Sequence, residues 1–118
     1  MKTILIVEDD RFIKENLKEL LSVYEYKVDL ANNGLEALQY LENNEPELII
    51  SDVVMAKMDG IEFRKKLLEL PKVNKIPFVF LTAINEKLKL ANRKDLGDFL
   101  FIPKPYKIKD IEQVLKLK

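Results

Sequence analysis

Two hydrophobic rhythms alternate along this chain. Residues 4–7, 48–51, 78–81 and 99–102 are short apolar runs with almost no polar interruption. Runs of that length and continuity predict strands buried on both faces. Residues 27–30 are a shorter, more mixed candidate for a further strand. Between the runs the spacing changes. Ile13, Leu17, Leu20, Leu21 and Tyr24 recur at i, i+4, i+7, i+8 and i+11, one face of an amphipathic helix. Asn32-Asn33-Gly34 signals a turn and a helix entry, with Leu35, Leu38 and Leu41 expected on one face of the helix that follows. A third helix is expected over about residues 61–70 and stops at Pro71. Pro77 opens the next strand, where its missing N–H costs little. Residues 86–95 predict a weak, lysine-rich helix that Gly97 would end. Ile108, Ile111, Val114 and Leu115 mark a final helix. Strands alternating with helices predict an α/β domain, a doubly wound five-stranded parallel sheet flanked by five helices.

Composition narrows the class. The 118 residues suit one domain, residues 1–118. Hydrophobic residues at 47% and charged residues at 34% describe a soluble globular protein. No apolar run approaches the ~18 residues of a membrane span, and the N-terminal run is too short for a signal-peptide core. The absence of cysteine fits the expected cytoplasmic location. It also excludes disulfides and thiolate chemistry, as the absence of histidine excludes a His-based triad or a His metal site. The zero net charge hides an asymmetry: residues 1–85 carry 11 Lys/Arg against 15 Asp/Glu, residues 86–118 carry 9 against 5. The C-terminal third is therefore a candidate face for an acidic partner, although a solvated lysine-rich surface is the plainer reading. The basic residues are too dispersed, and lack a docking motif, for direct nucleic-acid binding to be expected.

Chemistry collects where the strands end. Glu8, Asp9 and Asp10 follow the first run, Asp52 the third, Thr82 the fourth and Lys104 the fifth. In a parallel sheet these ends lie along one edge, where open α/β sheets bind ligands. Taken singly, each residue has a plainer reading. Glu8-Asp9 resembles a helix cap, Asp10 a cap or surface charge, Asp52 a loop acid, Thr82 an N-cap with Glu86 nearby, and Lys104 a surface lysine. Taken together they point to phosphoryl transfer. Carboxylates at one edge repel unless a cation neutralises them, and hard oxygen donors such as Glu8, Asp9 and Asp52 suit Mg²⁺. Lys104 can balance phosphoryl charge, Thr82 can hydrogen-bond a phosphoryl oxygen, and Asp52 can attack in line to form an acyl phosphate. With no histidine and no evident base to activate water, that covalent state would persist, as a switch requires.

Five stretches carry a family resemblance: Ile4-Leu5-Ile6-Val7-Glu8-Asp9-Asp10, Ser51-Asp52-Val53-Val54-Met55, Met58-Asp59-Gly60, Leu81-Thr82-Ala83 and Lys104-Pro105-Tyr106. In this order and spacing they resemble the receiver domain of two-component response regulators, over residues 2–117 and in extent like the single-domain chemotaxis response regulators. The resemblance implies a flavodoxin-like fold with sheet order 2-1-3-4-5. It implies Asp52 as phosphoacceptor, with a histidine kinase or a histidine phosphotransfer protein as donor. Asp9, Asp52 and the backbone carbonyl of Val54 would ligate Mg²⁺, or Mn²⁺ in its place, with Glu8 acting through metal-bound water. Thr82 and Lys104 would grip the phosphoryl group. Phe101 would change rotamer with Thr82, the Lys104-Pro105 peptide would be cis, and a downstream protein would read the face that includes residues 86–118. Such a domain is a signalling switch. It catalyses only its own phosphorylation and dephosphorylation and is not a turnover enzyme.

Departures from the family pattern carry expectations of their own. Ala56 stands where proline is usual, which predicts a looser acceptor loop. Pro103 gives an unusual Pro-Lys-Pro and suggests an unpaired edge at the end of the fifth strand. Val54 and Ile84 occupy positions that tune dephosphorylation, and neither can orient water, so a long-lived phospho-Asp52 is expected. Two rival readings remain. A haloacid dehalogenase-like phosphotransferase wants a second acid two residues after its nucleophile, where this chain has Val54. An unphosphorylated receiver-like interaction module would be expected to lack Asp9, Asp52, Thr82 or Lys104, and all four are present.

Overall fold

The computed structural model describes residues 2–117, without the side chains of Ile84 and Leu117. The apolar runs form strands β1 (Thr3–Val7), β3 (Leu48–Asp52), β4 (Phe78–Thr82) and β5 (Leu100–Pro103), and the mixed segment forms β2 (Lys27–Ala31). The periodic segments form α1 (Arg11–Val23), α2 (Gly34–Leu41), α3 (Gly60–Leu68), α4 (Ile84–Leu90) and α5 (Ile108–Leu117). All strand pairings are parallel and the order is β2-β1-β3-β4-β5, as expected.

The continuity of the apolar runs has a direct cause, because both faces of the sheet are covered. Leu5, Val7, Ile49, Phe78 and Phe80 pack with Ala37 and Leu41 of α2, Phe63 and Leu67 of α3, and Leu90 of α4. Ile4, Ile6, Leu48, Ile50, Val79 and Leu81 alternate onto the other face, against Leu17 and Leu21 of α1 and Ile111 and Val114 of α5. Burying one such side chain contributes roughly 1.5–3 kcal/mol, so these two layers hold the strand ends in register. On the first face Phe63, Phe78, Phe80, Phe99 and Phe101 form a row of rings with successive centroids 5.8, 4.9, 5.1 and 5.1 Å apart, the last three contacts edge-to-face.

Three elements differ from expectation. In α2 the buried residues are Gly34, Ala37 and Leu41, while Leu35 is largely exposed. The Gly34 amide donates to Met58 O at 3.1 Å, and that close approach fixes which face turns inward. In α5 Ile111 and Val114 are buried but Ile108 is exposed. The lysine-rich segment is two pieces: α4 ends at Leu90, and a single 3-10 turn (Lys94–Leu96) follows before Gly97, whose φ of 67° needs glycine. β5 is an edge strand, as the proline at Pro103 suggested.

Candidate functional site

Asp10 caps α1, accepting from the Ile13 amide at 3.1 Å. The capping role therefore does not fall on Glu8 or Asp9. Glu8 sits one residue beyond β1, fully buried. Its Oε2 accepts from the Asp10 amide at 3.1 Å, and its Oε1 has no hydrogen-bond partner among the described residues. Burial pushes the Glu8 carboxyl up to about 8; the Asp10 amide opposes that rise and the neighbouring Asp52 adds to it.

Asp52 is the last residue of β3 and is only 5% exposed. An acid there requires a cation, and Lys104 Nζ lies 2.6 Å from its Oδ1. The same oxygen accepts from the Val53 amide at 2.9 Å. Lys104 Nζ is also 3.9 Å from Glu8 Oε1. The lysine is placed by its own amide, which donates to Thr82 O at 2.8 Å, and by the cis Lys104-Pro105 peptide that follows. One ligand oxygen each from Glu8, Asp9 and Asp52 fall within 4.8 Å of one another. Three carboxyl groups thus converge, two of them within 4 Å of the Lys104 ammonium.

Thr82 ends β4 with its Oγ1 buried and without a hydrogen-bond partner among the described residues. It is not the cap of α4. Ala83 holds that position, and Glu86 accepts from the Ala83 amide at 2.9 Å. A buried, unpaired hydroxyl costs stability unless something completes it.

The family model of the response regulator receiver domain matches residues 4–116. The chain belongs to that family. A transcriptional regulatory protein CpxR homolog of Haemophilus influenzae is 39% identical over 118 residues, all of this chain and 49% of that protein. This chain spans about half the length of the curated relatives it matches. Among solved structures, the signal receiver domain of a histidine kinase from Syntrophus aciditrophicus is 35% identical with a TM-score of 0.88, covering 99% of this chain and 89% of that one. The chemotaxis response regulator CheY4 of Vibrio cholerae is 28% identical with a TM-score of 0.90, covering 99% and 98%.

Receiver domains are signalling domains of two-component systems and bind Mg²⁺ at an acidic pocket. The donor set here fits such an ion: three hard carboxylates, one of them buried with an orphaned oxygen. Among the described residues no helix is long and apolar enough to cross a membrane.

The structure brings Glu8, Asp9, Asp52 and Lys104 together and places Thr82 at the end of the adjacent strand. Val54 lies just past β3, 63% exposed. Phe101 is half-buried; with Thr82 opposite Pro103 and Phe80 opposite Phe101, its side chain shares a sheet face with Thr82. The expectation for the Ile84 side chain lies outside the described residues.

Ala56 makes one contact that the usual proline would not. Its amide donates to Asp9 Oδ2 at 3.3 Å, a bond that proline could not make. Two further contacts escaped the sequence. The Tyr106 hydroxyl bonds Asn16 of α1, and Lys87 Nζ lies 5.3 Å from the centroid of the Phe101 ring. Each joins distant elements, and no local pattern marks either.

Proposed function

We propose that residues 1–118 form one receiver domain that accepts a phosphoryl group on Asp52 from the phosphohistidine of a histidine kinase or histidine phosphotransfer protein. The observation that carries this reading is the Lys104–Asp52 pair, 2.6 Å apart within a cluster of three carboxylates. An Asp52 oxygen attacks phosphorus as the P–N bond to the donor imidazole breaks, and the imidazole nitrogen leaves with the bond's electron pair and takes up a proton. The product is an acyl phosphate on Asp52.

Asp9, Asp52 and the backbone carbonyl of Val54 would ligate Mg²⁺, or Mn²⁺ in its place, with Glu8 acting through bound water. When bound, the ion neutralises carboxylate and phosphoryl charge. Lys104 shifts its ammonium from the free Asp52 carboxylate to an equatorial phosphoryl oxygen. The Thr82 hydroxyl, already orphaned, moves to donate to another. Phe101 then enters the space that Thr82 leaves, and the face that includes residues 86–118 changes for a downstream protein to read. Val54 is exposed and apolar and cannot orient a hydrolytic water, which supports a long-lived phospho-Asp52. The reading is of a cytoplasmic switch whose only catalysis is on itself.

The test is intact mass after incubation with Mg²⁺ and a small acyl-phosphate donor. One added phosphoryl group is expected in the wild type, none in Asp52→Asn, and none after chelation. No gain from that donor or from a phosphorylated histidine kinase, with the fold and Mg²⁺ binding intact, would identify an interaction module instead.

A further inference from the structure

Phe101 is held in its present rotamer by two neighbours from different elements. Phe99 meets its ring edge-to-face at 5.1 Å, and Lys87 of α4 places Nζ 5.3 Å from its centroid. Two acids on the neighbouring elements are engaged elsewhere. Glu86 accepts from the Ala83 amide, and Asp95 pairs with Arg93 at 2.9 Å. Among the described residues Lys87 has no ion-pair partner within 4 Å, and its charge lies over the Phe101 ring. A groove lined by Leu90, Ala91, Phe99 and Phe101 runs beside the ring, and the buried Thr82 hydroxyl lies on the same face of the sheet.

We propose that Lys87 is a positioning residue that latches Phe101 in this rotamer and so sets how readily Asp52 can be loaded. The proposal rests on the reading of Phe101 as the partner of Thr82. If the ring must enter the space vacated by Thr82, loading Asp52 must first separate the ring from Lys87. A cation over an aromatic face at an exposed site is worth enough to change a binding constant by about 2- to 5-fold. The latch taxes acceptor loading by that factor, and losing the latch returns it. Long-range electrostatics predicts the opposite sign. A lysine on the same molecule favours an incoming anion, so its loss alone weakens anion binding.

The opposite signs make the test decisive. Beryllofluoride stands in for the phosphoryl group on a carboxylate, and its dissociation constant is measured with Mg²⁺ on the full chain. Lys87→Met is expected to tighten binding about 2- to 5-fold. Lys87→Arg keeps a cation over the ring and is expected to match the wild type. In a Phe101→Leu background only the electrostatic effect remains, and Lys87→Met is expected to give no tightening and at most a small weakening. Unchanged or weaker binding in Lys87→Met, or the same tightening without the Phe101 ring, overturns the latch alone. Absence of binding in the wild type, Asp52 intact, overturns the acceptor reading and the latch with it.

Discussion

A Cβ placed on Gly60 would lie 2.0 Å from the backbone carbonyl oxygen of Asp52. The start of α3 is therefore seated against the backbone of the candidate acceptor, an arrangement that Gly60 alone permits. The Gly60 amide closes the loop by donating to Val53 O at 2.8 Å. Gly60→Ala must push backbone against backbone, with no flexible side chain to yield. We expect a loss of about 1–3 kcal/mol of stability in urea unfolding, together with slower labelling of Asp52 in the mass assay.

Lys104→Met leaves Asp52 and Glu8 buried without their cation. Phosphoryl transfer to Asp52 is expected to slow by about 100-fold or more, the scale seen when a preorganised donor is removed. Lys104→Arg retains charge but not the compact ammonium, and should recover only part of the rate. Rapid quenching followed by intact mass measures both.

Glu8 makes the metal-free protein sensitive to pH. Its folded-state value of about 8 stands above the ordinary 4.5. Between those values the unfolded chain has released the proton and the folded chain keeps it, so stability falls as pH rises. The contribution is fully present below about 4.5 and is lost by about 8. Thermal midpoints measured across that window in chelator should fall with pH in the wild type and stay flatter in Glu8→Gln.

Arg64 is a buried cation outside the site. It is 3% exposed, donates from Nε to Leu96 O at 2.8 Å and from Nη2 to Asp98 O at 3.0 Å, and stacks 4.7 Å from the Phe78 centroid. It ties α3 to the turn that feeds β5. Arg64→Met leaves both carbonyls unanswered and should destabilise by about 2–4 kcal/mol. Arg64→Lys should recover little, since one ammonium lacks the guanidinium fork. Chemical denaturation gives the loss, and amide exchange over residues 96–98 should locate it.

The edge that carries the chemistry was legible because parallel topology converts four separate sequence positions into one place. Glu8, Asp52, Thr82 and Lys104 needed only the correct assignment of the strands before them. The phase of α2 was legible in part: Leu41 is buried and Leu38 packs on the core as the spacing suggests, while Leu35 is exposed. Three leucines at helical spacing pointed to one face, but Gly34 approaches Met58 so closely that Ala37 turns inward and Leu35 outward. The break after Leu90 was hidden for a similar reason. Leu96 is anchored in the core and Gly97 turns the chain, so tertiary contacts decide where the helix stops. Lys87 on Phe101 and Arg64 on Leu96 each join elements from different parts of the chain, where no periodicity records a contact.

The ammonium beside Asp52 arrives from 52 residues further along the chain, and the buried Glu8 from just past its first strand. A fragment that ends before Lys104 cannot hold the whole arrangement. A chain severed between β3 and β5 keeps the three acids and lacks the cation that pairs with Asp52. On the proposed reading a copy cut there is mute, and that damage defaults to silence instead of a false signal.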